Sequence, residues 1–383
     1  MHRKDIMKIL QVCGGPSWGG IEMQTVKLAF ILQNAGHETC VLCSASGEIQ
    51  KHAAEKKLLT ESGIFDPGKN WFYSLRRAKD VIRSFNPDII HVQRSHDLSV
   101  IAAALRSLHK QTPLVFSRRM ESRLKKKSPV HRLIYSRVDR AWCVSSFVRH
   151  NFLATSPMKP EKVFVMNNGI DLTIFDPGRY NKSEMRTQYG IPADATVIGM
   201  TGRISPMKGH ADFIQAAAFL IEAARKKLFF VMAGGASVGE DAFANEIYAL
   251  AKSCLPENSY CFIDHQPDLA GVLSTLDVYV FPSHRESFGN VLLEAMAMQL
   301  PIVSVNAGGV TDMITSGENA LCVRPQHPEE IFSSVQKLIS NQVMASQLAL
   351  EARKRSLDFS SEKFLENLIT EYQEVISQKK DGK

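Results

Sequence analysis

The sequence lacks a framework of paired cysteines, an apolar run of membrane-spanning length and any internal repeat. Its 383 residues include seven cysteines without regular spacing, which excludes a small disulfide-stapled scaffold and indicates a reducing compartment. No segment reaches the about 18 uninterrupted apolar residues of a transmembrane helix. Around the basic run 118–140, Tyr135 and Phe116 give only sparse aromatic support for stacking, so single-strand nucleic-acid binding is disfavoured. We therefore expect a cytoplasmic protein with no nucleic-acid partner.

The residues that are present have an ordinary globular composition, with 44% apolar and 22% charged side chains. At roughly 100–200 residues per domain, the length predicts two domains. Short β-rich runs alternate with amphipathic stretches in both halves, which predicts an α/β fold of two Rossmann-like parallel sheets covered on both faces. The predicted strands are 8–12, 39–43, 88–92, 114–117, 141–144, 162–166, 197–201, 228–233, 260–263, 277–281, 302–305 and 320–323.

The domain boundary is predicted at the turn-rich segment 167–171, which is followed by Pro177-Gly178. This divides the chain into an N-terminal domain, residues 1–172, and a C-terminal domain, residues 173–360. Residues 361–383 form a final amphipathic segment, predicted to be helical. Because open parallel sheets bind ligands beyond the carboxyl ends of their strands, we expect the two domains to face each other across a cleft.

Charge is distributed unevenly between the two halves. Residues 1–175 hold 27 Lys and Arg against 14 Asp and Glu, a net charge of +13, whereas residues 176–383 carry −6. The excess is concentrated between Arg118 and Arg140. An anionic partner is expected for the N-terminal half. Nucleic acid is one candidate, and an anionic membrane surface or a phosphorylated acceptor held there is another.

The first candidate motif is the glycine cluster 14–22, which follows a predicted strand and opens a helix. Such a turn lets the backbone approach a phosphate closely. It is neither GxGxxG nor GxxxxGK[ST], and no acidic residue stands at a strand end about twenty positions later. A nicotinamide-dependent oxidoreductase and a P-loop enzyme are therefore disfavoured.

The second motif, Thr201 to Gly209, also joins a strand to a helix. Arg203 and Lys208 flank its turn. Arginine supplies a planar fork and lysine a compact charge, a combination suited to a diphosphate. A solvated loop with two surface cations is the alternative interpretation.

The third motif runs from Pro282 to Ala297 and contains two carboxylates, Glu286 and Glu294. Glu286 follows an apolar strand, and Glu294 lies within the next helix, one turn after Asn290. The amides of residues 289–291 stand at the helix N-terminus, where an anion is favoured. A carboxylate near a helix start is stabilised by the helix dipole, which would be sufficient to explain Glu286 but does not explain the rest of the motif.

Together these motifs resemble those of retaining nucleotide-sugar glycosyltransferases of the GT-B architecture, and the resemblance is closest to glycosyltransferase family 4. Glu286 to Glu294 is similar to the E-x7-E signature, and Gly202-Arg203 to Lys208-Gly209 is similar to the diphosphate loop. Residues 168–175 resemble the interdomain linker, and residues 19–22 resemble the N-terminal glycine loop. The similarity covers nearly the whole chain in the family's order.

The resemblance implies roles for the donor-binding residues. Arg203 and Lys208 would neutralise the diphosphate, Glu294 would hold the ribose, and Glu286 would contact the transferred sugar. The base would lie beside His265. The remaining residues implied around the donor are Gly19, Gly20, Ser287, Phe288, Gly289, Asn290 and Val291.

One position departs from the family pattern. Where members often carry a histidine near the sugar, this chain has Arg119, which cannot act as a base but can stabilise a departing phosphate or bind an anionic acceptor. His96 is an alternative candidate for the missing histidine. The predicted catalytic residues are thus Glu286, Arg203, Lys208 and Arg119. The predicted acceptor or membrane contacts are Arg118, Arg119, Arg123, Lys125, Lys126 and Lys127.

The resemblance implies a retaining transfer of sugar from a nucleotide-sugar donor to a glycan or lipid-linked acceptor, in bacterial envelope polysaccharide or lipopolysaccharide synthesis. No cofactor and no essential metal are expected, because cations already occupy the phosphate loop and no DxD motif is present. The final helix is expected to pack back on the N-terminal domain. A sugar-nucleotide epimerase of the same architecture remains an alternative, and a non-enzymatic anion- or nucleic-acid-binding protein is a second.

Overall fold

The computed structural model describes residues 6–382 except 46, 66, 67, 69, 237, 238, 265 and 267. The chain forms two compact units. Unit 1 comprises Met1–Asn167 and Phe364–Lys383, and unit 2 comprises Asn168–Lys363. The chain passes from unit 1 to unit 2 after Asn167, slightly before the predicted boundary at 172, and returns at Phe364.

Unit 1 contains a parallel seven-stranded sheet with the order β3-β2-β1-β4-β5-β6-β7. Its strands are Lys8–Cys13 (β1), Glu38–Cys43 (β2), Leu59–Ser62 (β3), Ile89–Val92 (β4), Leu114–Arg118 (β5), Arg140–Cys143 (β6) and Val163–Val165 (β7). Its helices are Gly20–Asn34 (α1), Glu48–Glu55 (α2), Trp71–Phe85 (α3), Asp97–Ser107 (α4), Pro129–Tyr135 (α5) and Ser146–Thr155 (α6), together with the end of the chain.

Unit 2 contains a parallel six-stranded sheet with the order β10-β9-β8-β11-β12-β13. Its strands are Thr196–Thr201 (β8), Leu228–Ala233 (β9), Tyr260–Ile263 (β10), Val278–Phe281 (β11), Ile302–Val305 (β12) and Leu321–Val323 (β13). Its helices are Lys182–Gln188 (α7), His210–Ala223 (α8), Asp241–Cys254 (α9), Leu269–Ser274 (α10), Asn290–Ala297 (α11), Pro328–Ser340 (α12) and Gln342–Ser356 (α13).

The predicted fold class of two Rossmann-like parallel sheets is confirmed. All twelve predicted strands are present, with ends that differ by at most one residue. The sequence analysis missed β3, Leu59–Ser62, whose residues are all at least partly exposed. β3 lies at the edge of the sheet and pairs with β2. An edge strand of this kind can remain partly exposed and does not require an apolar sequence.

The long helix at the end of the chain, Ser361–Lys380 (α14), packs on unit 1. Leu368, Tyr372 and Val375 recur at intervals of four and three and are buried, which places them on one face of the helix. They join a core with Ile9 of β1 and Trp142 of β6. Arg140 strengthens this docking by bonding to Glu371 at 2.6 Å and to Glu374 at 3.1 Å.

Both sheets contain a point at which the strand order reverses. In unit 1 this point lies between β1 and β4, and in unit 2 it lies between β8 and β11. The loops after two such neighbouring strands lead to helices on opposite faces of the sheet and leave a crevice at the carboxyl edge. Two of the three sequence motifs, 201–209 and 282–297, follow β8 and β11, and the third follows β1.

Among the described residues, no helix combines the length and apolar character needed to cross a bilayer.

Candidate functional site

The candidate site in unit 2 lies where the strand order reverses, between the loops after β8 and β11. These loops are separated by about 80 residues in sequence but come into direct contact. The His284 amide donates to the Met207 carbonyl at 2.9 Å. Gly209 adopts φ +72°, and a Cβ there would overlap the Pro282 carbonyl oxygen. Glycine at 209 therefore lets the two loops close against each other.

The two loops are joined by an ion pair between Lys208 Nζ and Glu286 Oε1. Both side chains are largely sheltered, with 25% and 17% of their surface exposed. Arg203, in the same loop as Lys208, is exposed. The structure thus brings Lys208, one of the two cations predicted to bind the diphosphate, together with Glu286, the carboxylate predicted to contact the sugar. The second predicted cation, Arg203, is exposed to solvent at the same strand end.

The backbone of Glu286 is fixed from a third loop, which follows β12. Gly309 donates its amide to the Glu286 carbonyl at 2.7 Å. Gly308 has φ +75°, and a Cβ there would overlap that same carbonyl. The carboxylate of Glu286 consequently projects from a backbone held by two neighbouring strand ends, which limits its movement.

Helix α11 begins at Asn290, four residues after Glu286. Its first residue, Asn290, follows Gly289, which has φ +95°, and among the described residues no side chain caps this end. The Leu292 amide donates to the Gly289 carbonyl at 3.1 Å, which leaves the amides of Asn290 and Val291 available to an anion. Asn168 Nδ2 donates to Asn290 Oδ1 at 2.9 Å, which orients the side chain at the helix start. Phe288 is buried and its ring packs against Phe359, so its backbone, rather than its ring, faces the candidate site.

Val291 and Glu294 extend the site into α11, and Ser287 precedes it. The charge of Glu294 acts on Tyr279, a fully buried residue of β11. The pKa of Tyr279 is raised, first by burial and also by the charges of Glu294 and Glu286. Its hydroxyl lies 2.9 Å from Thr201 Oγ1 at the end of β8. The charges of both carboxylates of the third motif thus act on one buried hydroxyl at the reversal point.

The sequence analysis assigned no role to Tyr279 or to Thr201, the first residue of the second motif. It also missed the pair formed by His284 Nε2 and Asp212 Oδ2 at 2.6 Å. Tyr279 and Thr201 both lie in otherwise apolar strands. A polar side chain in such a strand is the signal that could have identified them.

His210, at the start of α8, is buried. Burial and the nearby Lys208 lower its pKa to about 4, so it is neutral at pH 7.

Unit 1 presents a second cluster at its own reversal point. The Gly14 amide after β1 donates to Asp97 Oδ2 after β4 at 2.8 Å. A Cβ on Gly15 would overlap the Glu22 carboxylate and approach Arg94 Nη1, so the glycine leaves room for both side chains. The predicted Gly19 and Gly20 lie at the start of α1, where Gly19 is the N-cap residue. Burial raises the pKa of Asp97 to about 6.

Arg119 follows β5 and is held at the same edge of the unit 1 sheet. Its Nε and Nη2 donate to Gln93 Oε1 at 3.3 and 3.2 Å. Burial lowers its pKa to about 10, so it remains charged at neutral pH. The alternative candidate, His96, packs its ring against Phe65 with centroids 4.1 Å apart. Its pKa is lowered by burial, Arg94 and Lys126, so it is mostly neutral at pH 7.

The other predicted acceptor or membrane cations lie in and near the loop between β5 and α5. Lys126 Nζ donates to Ser95 Oγ at 2.8 Å, which ties this loop to the segment after β4. Arg118 is partly buried, and burial lowers its pKa. Arg123, Lys125 and Lys127 are exposed. Among these cations, Lys126 therefore contacts another group at the carboxyl edge and Arg118 is partly buried, whereas the remaining three face solvent.

Within the described ranges, no group of three or more His, Cys, Asp or Glu side chains is arranged to hold a metal ion. His265, predicted to border the base, lies outside the described residues. Cys40 and Cys43, which are separated by two residues, are both buried.

Both units match models of known protein families. Residues 18–174 match the family model described as Glycosyltransferase Family 4, and residues 181–355 match the one described as Glycosyl transferases group 1. D-inositol 3-phosphate glycosyltransferase of Rhodococcus opacus is 32% identical over 216 residues, which are 56% of this chain and 48% of the relative. The chain therefore spans about half the length of that curated relative.

Two solved structures show the same fold along almost the whole chain. A glycosyltransferase from Rickettsia africae matches with a TM-score of 0.86 and 21% identity, covering 97% of this chain and 99% of its own. Anabaena HepE in complex with UDP-glucose matches with a TM-score of 0.79 and 21% identity, covering 96% and 99%.

Proposed function

Because the chain belongs to the glycosyltransferases that combine the family 4 and group 1 domains, we propose that it transfers a sugar from a nucleotide-sugar donor to a hydroxyl of an acceptor, with retention of the anomeric configuration. The observation that carries the proposal is the pairing of Lys208 with Glu286 beside the amide end of α11. This places a cation, a carboxylate and a helix N-terminus at one reversal point.

The donor diphosphate would take the place of Glu286 as the partner of Lys208. A diphosphate carries more negative charge than one carboxylate, and Arg203 and the first-turn amides of α11 would add to its binding. Glu286 would then be released towards the transferred sugar. These cationic groups lower the barrier by stabilising the charge that develops on the leaving diphosphate.

Glu294 would bind the ribose hydroxyls from within α11, on the side of Tyr279 and Thr201. The carboxylate can accept two hydrogen bonds from adjacent hydroxyl groups, which suits a ribose. Ser287, Gly289 and Val291 would contribute mainly backbone groups around the sugar and phosphates, since they surround the start of α11.

The acceptor would bind to unit 1, which carries the positive charge. Arg119 remains charged while it is anchored by Gln93, so it can bind a phosphate or another anion of the acceptor. A glycan or lipid-linked acceptor of bacterial envelope polysaccharide synthesis fits this charge. One relative, the Staphylococcus aureus CapM, is named as a capsular polysaccharide biosynthesis glycosyltransferase and is 27% identical over 236 residues.

The test is a thermal-shift panel of UDP-, GDP- and ADP-sugars on the full chain, and the UDP-sugars come first because HepE binds UDP-glucose. A ligand at 100 times its dissociation constant adds about 2.7 kcal/mol of stability. Glu294→Ala should remove most of the response. Glu246→Ala on the exposed face of α9 is the matched control and should retain it. No response to any nucleotide sugar would overturn the donor assignment.

Product analysis then separates this reaction from the epimerase alternative. A transferase consumes the donor only when an acceptor hydroxyl is supplied and yields a glycoside with the donor's anomeric configuration. Release of free nucleotide without a glycosylated product would point to the epimerase, and an inverted product would contradict retention.

A further inference from the structure

One face of the unit 1 sheet changes from apolar to polar towards its carboxyl edge. Residues two apart along a strand point to the same face. Three neighbouring strands, continued by one residue where needed, therefore place the following sets on one side: Ile9, Gln11 and Cys13 from β1, Ile89, His91 and Gln93 from β4, and Val115, Ser117 and Arg119 from β5. The first residue of each set joins the apolar core beneath α14. The buried polar residues that follow must find hydrogen-bond partners inside the protein.

These polar residues and one residue of α14 form a hydrogen-bonded network of six side chains: Arg119, Gln93, Gln11, Tyr372, His91 and Ser117. The Arg119 guanidinium donates to Gln93 Oε1, from Nε at 3.3 Å and from Nη2 at 3.2 Å. Gln93 Nε2 donates to Gln11 Oε1 at 3.0 Å, and Gln11 Nε2 donates to the Tyr372 hydroxyl at 3.1 Å. Of the six, Arg119 is partly exposed and the others are buried, so the network reaches the surface at a cation.

The guanidinium fixes the direction of these hydrogen bonds. Arginine has N–H donors and no acceptor, so the oxygen of the Gln93 amide must face Arg119. The nitrogen of the same amide then faces Gln11 and donates to its oxygen. The nitrogen of Gln11 is consequently left to donate to Tyr372. Both amides are therefore oriented by the charge at the end of the network.

The same direction determines the tautomer of His91. The Tyr372 hydroxyl accepts from Gln11, and it can place its own proton on His91 Nδ1, which lies 2.7 Å away. Burial, with the charge of Arg119, holds the pKa of His91 well below its ordinary value, so the imidazole is neutral and carries one N–H. With Nδ1 as the acceptor, the proton lies on Nε2, which is 2.8 Å from Ser117 Oγ.

We propose that Gln11, Gln93 and Tyr372 are positioning residues for Arg119, through which α14 fixes the orientation of the cation at the carboxyl edge of unit 1. A guanidinium is planar, so anchoring its Nε and Nη2 to one oxygen fixes the plane in which all its donors lie. The inference rests on the proposed function in one respect, because Arg119 is there assigned to bind an anion of the acceptor.

Stability alone does not account for this network. Ile9 and Val115 show that the same face accepts aliphatic side chains, which have no hydrogen bonds to satisfy. Replacing both partners of a buried hydrogen bond by apolar groups of the same shape is nearly neutral for folding. What the polar residues add is a guanidinium held in one orientation, which an apolar face would not provide.

The direction of the network can be tested by NMR on the full chain with isotope-labelled histidine, without nucleotide sugar. Long-range proton–nitrogen spectra distinguish a protonated Nε2 from a protonated Nδ1, and the His91 signal is the one missing from His91→Gln. In the wild type, Nε2 should carry the proton. A carboxylate has only acceptors, so in Gln93→Glu the Gln11 amide must turn and Tyr372 must donate to it. The proton of His91 should then move to Nδ1.

The orientation of Arg119 is tested with inorganic phosphate as the probe, again without nucleotide sugar. The NMR signal of the Arg119 Nε–H group, identified by its absence from Arg119→Lys, reports phosphate bound at this side chain. Gln93→Met removes the acceptor and nearly preserves the side-chain volume. It should weaken phosphate binding at Arg119 about tenfold, because a hydrogen bond that orients a charged group is lost. Gln93→Asn, which withdraws the acceptor by one methylene, replaces Gln93→Met if thermal unfolding shows that the latter is not folded.

Exposed Gln50 of α2 provides the matched controls. Gln50→Glu should leave the His91 tautomer unchanged, and Gln50→Met should bind phosphate like the wild type. A wild-type His91 protonated at Nδ1, or a tautomer that Gln93→Glu does not change, would overturn the proposal. Equal phosphate affinity in the wild type and Gln93→Met, or no phosphate response at Arg119, would overturn it as well. None of these measurements involves the donor, so their failure is distinct from a failure of the nucleotide-sugar panel.

Discussion

Tyr372 of α14 places its hydroxyl 2.7 Å from Nδ1 of His91, a residue of β4 that lies 281 positions earlier in the chain. Gln11 Nε2 donates to the same hydroxyl at 3.1 Å. His91 Nε2 lies 2.8 Å from Ser117 Oγ, and burial keeps the pKa of His91 well below its ordinary value, so the ring is neutral. The last helix therefore completes a buried polar network in the middle of the unit 1 sheet.

This network leads to the prediction that Tyr372→Phe destabilises unit 1 while preserving its packing. The phenyl ring would still contact Trp142, but the buried groups of His91 and Gln11 would lose a partner. The expected cost is about 1–3 kcal/mol in urea unfolding. Tyr248→Phe in unit 2, whose ring packs edge-on against Phe262, is the control and should change stability little. Equal stability of the two variants would contradict the structural role of the hydroxyl.

Glu286 and Glu294 should have separable effects on the reaction. Glu286→Gln should lower turnover by roughly 10²-fold, because it removes a charge beside the reacting sugar, with a smaller change in nucleotide affinity. Glu294→Ala should weaken nucleotide binding by about 10- to 100-fold through lost hydrogen bonds to a charged group. Kinetics and calorimetric titration of the nucleotide measure the two effects. Identical profiles for the two variants would show that the roles assigned to them are wrong.

Asp97 should make the stability of unit 1 depend on pH. Its pKa in the folded protein is about 6, above the value of 3.8 in the unfolded chain, so the folded state favours the protonated acid. This preference contributes to the free energy of unfolding; the contribution is fully present below about pH 4 and is lost as pH rises through 6. Asp97→Asn, which can still accept from the Gly14 amide, removes this dependence. The stability of Asp97→Asn relative to the wild type should rise by about 2 kcal/mol between pH 4 and pH 8. A constant difference in urea unfolding would contradict the raised pKa.

The contact between the two loops of unit 2 should be sensitive to a single methyl group. Gly209→Ala combines a left-handed backbone with overlap against Pro282, whereas Gly190 has a similar φ of +67° and nothing nearby. Gly190→Ala is therefore the matched control and should cost about 1 kcal/mol from backbone strain alone. Gly209→Ala should cost more and should also reduce nucleotide binding, because the overlap pushes Lys208 away from Glu286. Equal losses in both variants would show that the loops do not depend on this close approach.

Metal independence can be tested by chelation. The proposed mechanism neutralises the leaving diphosphate with Arg203, Lys208 and backbone amides, so activity should survive dialysis against EDTA. An assay of glycoside formation, with and without added magnesium, measures this. Activity that disappears after chelation and returns with magnesium would show that the cations of the chain are insufficient.

The sequence predicted those parts of the fold that depend on neighbouring residues. Short apolar runs identified twelve strands, and the amphipathic pattern of the last segment identified α14 as a helix. The edge strand β3 was missed because an exposed strand at the border of a sheet carries little apolar signal. The glycine turns and the spacing of Glu286 and Glu294 were also visible, since a motif of this kind lies within one loop and one helix.

Only the tertiary structure decided which loops meet. The reversal of strand order sets β8 beside β11 and thereby joins Lys208 to Glu286, and it sets β1 beside β4 and joins Gly14 to Asp97. The return of α14 to unit 1 likewise brings Tyr372 to His91. These partners are distant in sequence, so no local pattern encodes their distance. Their contacts arise when the apolar faces of the whole sheet are buried together, and burial is also what shifts the pKa values of Asp97 and His91.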